Sequence, residues 1–199
     1  MFRRLKEKWR KIRTKIHSKY LGWKIRTGRA PRGRVRTSPR TVLTDALQGK
    51  VTLEGQLYAK VIRKDGKVED LGLICEKCVT DAFVQYLVDS MQDSSTYPMD
   101  VFKWHASGTG TDAESASDTT LQNEVESRVE GTQTEGSSAN IYRSVATITY
   151  SASYSITEHG IFSASTGGTL LDRSVFSAIN VDSGDSIQFT YKLTVNSGG

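Results

Sequence analysis

The sequence predicts a mainly β protein: an antiparallel β-sandwich, jelly-roll or immunoglobulin-like, with one short helix, preceded by a basic amphipathic N-terminal helix and an extended arm. Three observations carry this expectation. Ile187, Phe189, Tyr191, Leu193 and Val195 alternate with Gln188, Thr190, Lys192 and Thr194, the period of a half-buried strand. Asp65-Gly66 stands between two alternating runs as a two-residue hairpin turn. About seven or eight short runs of this kind are separated by polar turns, with one helical pattern among them.

Charge divides the chain in two. Residues 1–40 hold sixteen Lys and Arg and one acid, Glu7, whereas the other 159 residues hold 11 basic and 21 acidic side chains. The overall formal charge of +5 hides this division. The expected organisation is a basic anchoring arm over 1–40 and a sandwich body over 41–199, with a polyanion or an acidic surface as the arm's partner.

The arm has two halves. Phe2, Leu5, Trp9, Ile12, Ile16 and Trp23 fall on one side of a helical wheel, an apolar stripe on an otherwise cationic helix over about 2–20, with Gly22 as its end. A helix this short is marginal in water without a surface to pack on. Bulky aromatics on the stripe favour a protein groove over a membrane surface or a coiled coil. From Thr27 to Arg40 the periodicity stops. Gly28, Pro31, Gly33 and Pro39 punctuate Arg29, Arg32, Arg34, Arg36 and Arg40, which reads as an extended polycation suited to an acidic partner or to DNA phosphates.

In the body, Val51, Leu53, Leu57, Ala59 and Val61 form the first strand, and Val68 to Ile74 returns as its hairpin partner. Thr80 caps a helix from about Asp81 to Met91, with Ala82, Phe83, Tyr86, Leu87 and Met91 at helical spacing. Val101 to Ala106 reads as a short strand, Gly108 to Thr120 as a long polar loop, and Leu121 to Val129 as either strand or helical turns. Gly131 to Ser138 reads as a loop. Strands follow over Ile141–Ser151, Ser155–Ser163, Leu170–Phe176 and the run ending at Val195, with turns at Gly167-Gly168 and Asp182–Asp185.

Chemical motifs are few. Cys75-Glu76-Lys77-Cys78 sits between a strand and a helix, as a redox pair would. The surrounding pattern is not βαβ, and zinc would need two further ligands, for which His105 and His159 are the distant candidates. Two structural thiols are the expectation, with no metal or other cofactor. Glu158-His159 invites a hydrolase reading, but no Gly-x-Ser-x-Gly elbow accompanies it. Gly108-Thr109-Gly110-Thr111 lacks the Lys-Ser/Thr ending of a phosphate loop. No catalytic residues are assigned. The chain shows neither the apolar segment of a secretory leader nor the ~18-residue apolar run of a membrane span. An acid-poor, Arg-rich start also fits a mitochondrial transit peptide, although such leaders are usually richer in Ser and Ala.

Several stretches carry a resemblance: Gly108-Thr-Gly-Thr111, Ser138-Ala-Asn-Ile-Tyr-Arg143, Ile156-Thr-Glu-His-Gly-Ile-Phe-Ser163, Leu170-Leu-Asp-Arg-Ser-Val-Phe-Ser177 and Gly184-Asp-Ser-Ile-Gln-Phe-Thr-Tyr191. In their order and spacing the body resembles small β-rich virion structural proteins of tailed bacteriophages, of the head-decoration, minor capsid, neck or tail type. The resemblance covers the chain from about Lys50 and leaves the arm out. It implies a non-enzymatic particle component assembled in the bacterial cytoplasm. The implied partners are the major capsid protein or connector and tail subunits, further copies of the chain, and packaged DNA touched by the arm; a membrane is not among them. Residues 2–26 are expected to dock apolar side down, with Arg29 to Arg40 bridging acidic grooves or DNA.

Overall fold

The computed structural model describes residues 51–77 and 79–197. The arm, with its stripe (Phe2, Leu5, Trp9, Ile12, Ile16, Trp23) and its arginines (Arg29, Arg32, Arg34, Arg36, Arg40), lies outside the described residues, as does Cys78.

Nine strands and one α-helix are found among the described residues: β1 (Thr52–Ile62), β2 (Val68–Lys77), α1 (Asp81–Gln92), β3 (Trp104–Gly108), β4 (Glu124–Glu130), β5 (Thr132–Glu135), β6 (Ile141–Thr149), β7 (Tyr154–Phe162), β8 (Leu170–Val181) and β9 (Ser186–Asn196). They build the expected antiparallel sandwich. One sheet has the order β2-β1-β9-β6-β5 and the other β4-β3-β7-β8. Successive hairpins are dealt alternately to the two sheets, and the chain crosses between them after β2, β4, β6 and β8.

The clearest sequence periodicity became the centre of the larger sheet. Leu57, Ala59 and Val61 of β1 stand opposite Tyr191, Phe189 and Ile187 of β9, and Ala146 and Ile148 of β6 flank the other side. All of these side chains are buried, and all but Ala146 share one core with Ile156, Ile161, Leu171, Ile179 and Val181 of the facing sheet, as alternation on a pleated strand requires. The β1–β2 hairpin closes at Asp65-Gly66, with Gly66 at φ +86°, the left-handed geometry that glycine adopts without steric cost.

Helix α1 starts where Thr80 accepts a hydrogen bond from the Phe83 amide. Thr80 also reaches across to β8, donating to the carbonyl of Leu170. Phe83 and Tyr86 pack edge-on against Phe102, at centroid distances of 4.9 and 4.8 Å. That contact explains one difference from expectation. Phe102 is drawn under the helix, Met99–Val101 forms a 3₁₀ turn, and β3 begins only at Trp104. Leu121 to Val129, ambiguous in sequence, becomes a loop ending and then β4. Residues 132–135, expected as loop, form β5 at the sheet edge. Thr-Gln-Thr-Glu has no apolar alternation because an edge strand pairs through its backbone and needs none.

Strand β4 passes into β5 through Gly131, so the chain changes sheets within a single residue. A Cβ there would stand 2.5 Å from Ser144 Oγ and 2.7 Å from His105 Nε2. Glycine is required because the backbone runs directly over a buried hydrogen bond.

Candidate interaction face and the polar centres beneath it

Strand β7 carries the polar interior of the body. Neighbours along a strand point to opposite faces, so Glu158 and His159 serve different centres and cannot act as a catalytic pair. On the inner face, His159 Nε2 lies 3.0 Å from His105 Nδ1, and His105 Nε2 lies 2.8 Å from Ser144 Oγ. His159 packs on Phe189 with ring centroids 4.5 Å apart. Beside them the Tyr150 hydroxyl donates to Ser107 Oγ at 3.1 Å. Burial holds both imidazoles neutral: the pKa of His105 falls to about 3, and that of His159 falls well below its ordinary value, first by burial and then by the neighbouring His105.

A third buried group, Asp172, accepts from Ser174 Oγ at 2.7 Å and lies beside the Tyr191 hydroxyl. Burial raises its pKa to about 7. Cys75 sits on β2 with its thiol donating to the Val175 carbonyl at 3.5 Å, a packing role for that residue. Among the described residues no cluster of three His, Cys, Asp or Glu is placed to hold a metal ion.

On the outer face of the same strand, Glu158 is caged. Its Oε1 accepts from the amides of Gly110 (3.0 Å) and Asn123 (2.7 Å), and its Oε2 accepts from the Gln122 amide (3.0 Å) and Arg173 Nε (2.9 Å). Arg173 also donates to Asp118 Oδ2 at 3.0 Å and to the Asp112 carbonyl at 3.3 Å. Glu158 and Arg173 are both buried. Four donors saturate the carboxylate, and three of the five guanidinium N–H groups are engaged within the protein. Together they tie both ends of the 109–123 loop to the sheet, and Leu121 plugs the space beneath against Ala106, Phe162 and Leu170.

The glycines of Gly108-Thr-Gly-Thr111 follow from this cage. A Cβ at Gly110 would stand 2.5 Å from Glu158 Oε1 and 2.5 Å from Gln122 Cβ. Gly110→Ala should therefore lower stability by about 1–3 kcal/mol and open the loop to proteolysis. Urea denaturation with limited proteolysis reads both effects.

The caged loop meets α1 at the surface. The Asp81 amide donates to the Ala116 carbonyl at 2.8 Å, so loop and helix present one continuous face. From residue 78 to 121 the chain has seven acids (Asp81, Asp89, Asp93, Asp100, Asp112, Glu114, Asp118) and one base, Lys103. Ser95 and Thr96 bond the Asp93 carboxylate at the helix C-terminus and lower its pKa to about 2. The helix dipole is negative at that end, and the last turn holds no base to offset it. Val84, Val88 and Met91 stand outward at 45, 46 and 78 % exposure. Met91 shares the helical spacing of Ala82, Phe83, Tyr86 and Leu87, yet it faces solvent, because Phe83 and Tyr86 packing on Phe102 set the inward side of α1.

Comparison of the chain with protein-family models, curated proteins and solved structures finds no match. The fold and the face described above therefore rest on the residues themselves.

Of the residues expected to carry function, those of the arm lie outside the described residues. His105 and His159, far apart in sequence, are brought together: both nitrogens of His105 are bonded, whereas His159 bonds through Nε2 and its buried Nδ1 has no partner among the described residues. The Glu158–Arg173 pair was not foreseen as a pair. Its signal was faint: Glu158 and Arg173 stand in stretches 156–162 and 170–176 that mix apolar with polar residues, and Asp172 adjoins Arg173. Two open depressions of about 440 and 450 Å³ lie elsewhere, one on the outer side of β5 and β6 and the other between the β1–β2 and β8–β9 turns. Neither is lined by His105, His159 or Glu158.

Proposed function

We propose that this chain is a structural protein of a tailed-bacteriophage particle, a minor capsid or decoration protein held in place by its basic arm. The observation that carries the proposal is the division of one chain into a strongly basic segment with an apolar stripe and an acidic sandwich. Interior His, Glu and Arg side chains are engaged in holding loops and strands, the economy of a scaffold. A pinned loop and helix then form a fixed outer face, suited to contacts between subunits.

A neck or tail position is the close variant. The polycation from Arg29 to Arg40 favours a contact with packaged DNA as a second reading. Particle incorporation separates them. Trp9→Ala or Ile12→Ala should reduce the amount of the chain in purified particles at least tenfold, while Arg29→Gln with Arg32→Gln should change it little. If the arginine changes abolish incorporation and the apolar ones do not, the reading of the arm as a protein anchor is wrong. Tight binding of the purified chain to DNA at about 150 mM salt, falling steeply as salt rises, would favour the nucleic-acid reading.

A further inference from the structure

Among the described residues nothing covers the exposed apolar stripe of α1, and its chemistry matches one segment of the same chain. Val84, Val88 and Met91 recur at the i, i+4 and i+7 positions of the helix, so they form one apolar stripe. Asp81 borders the stripe in the first turn, and Asp93 closes the helix at its C-terminus. Residues 2–23 present the complement: an apolar stripe with aromatics, flanked by Lys and Arg. We infer that the α1 face receives residues 2–23 from a second copy of this chain, so that neighbouring copies are linked arm to body.

Chain length puts the face of a second copy within reach of the arm. Pairing of Gly55 with Lys77 places the start of β1 beside the end of β2, only a few residues before α1 begins. Residues 24–50 provide 27 residues between the stripe and the body. Extended, these reach up to about 90 Å, enough to cross to a neighbour and leave Arg29 to Arg40 along the way for the shell or for DNA. The inference deepens the particle reading by naming the arm's receptor, and it rests on that reading for its setting.

The test uses the full-length chain. Sedimentation velocity over a range of concentrations should show self-association. Val88→Asp with Met91→Asp, on a surface where neither side chain supports the core, should weaken it at least tenfold. Val68→Asp, an equally exposed apolar position at the far end of the β1–β2 hairpin, should leave it unchanged. A photo-crosslinker at position 88, in a mixture of isotopically heavy and light chains, should give heavy–light products mapping to residues 2–23. The inference is overturned if the wild-type chain stays monomeric, if Val88→Asp with Met91→Asp associates normally, or if products map only within one chain. Should particles still require the arm while the face variant assembles normally, the particle reading survives and this inference fails. Should the face govern association while particles never contain the chain, the reverse holds.

Discussion

Glu158→Ala is expected to cost about 3–5 kcal/mol of stability, the range for removing one partner of a buried ion pair. The substitution takes away the acceptor for three backbone amides and Arg173 Nε at once. Arg173, 3 % exposed, would keep only Asp118 and a carbonyl. Glu158→Gln keeps the shape and two of the acceptor contacts and should cost less. Because a buried pair gains little net over a packed apolar pair, Glu158→Met combined with Arg173→Met should recover part of the loss of either change alone. Urea denaturation of the four proteins at neutral pH gives the cycle. A loss below about 1 kcal/mol for Glu158→Ala would mean that the loop does not depend on the cage.

Acid should unfold the body through its two buried histidines. Their folded pKa values lie below the unfolded value of about 6.5, so the unfolded chain binds two more protons once pH falls below that value. Stability must then drop as pH falls. Asp172 works in the opposite sense. Its folded pKa of about 7 lies above its ordinary 3.8, so between these the native chain holds a proton that the unfolded chain has lost. The net difference from pH 6.5 down to 3.8 is one proton, a slope of roughly 1.4 kcal/mol per pH unit. Below that, the lowered pKa values of Asp93 and Asp185 add further loss as these carboxylates protonate. His159→Phe should flatten the slope, since the ring still packs on Phe189 but binds no proton. Asp172→Asn should raise stability at pH 8, where the wild type must hold a buried carboxylate, with the gain shrinking toward pH 4. Thermal melts across pH 4–8 test both; a flat profile for the wild type would contradict the assignment of neutral buried imidazoles.

These expectations turn on residues that local sequence did not advertise. Periodicity made β1, β2, α1 and β9 legible, because each is specified by neighbours a few positions away. Thr80 could be read as a cap and Asp65-Gly66 as a turn for the same reason. Strand β5 was missed because a polar edge strand has no face to bury. The polar centres were illegible as centres, since their members meet only after folding: His105 and His159 are 54 positions apart, and Gly110 and Glu158 are 48. What the sequence did show was a charge in each of two strands that also supply core residues. Such a charge implies a partner without saying which one. The outward turn of Met91 was hidden for a related reason: Phe102, which claims the other side of α1, arrives from beyond the following loop.

The central claim is that residues 2–23 anchor this chain to protein within a particle. Its most direct measurement places a photo-crosslinker at Ile16 of the full-length chain and identifies the products from purified particles. The expected products are protein: the α1 region of another copy, with capsid or connector subunits reached by the residues that follow. Products consisting of DNA alone, or an arm that crosslinks to nothing in the particle, would contradict the account.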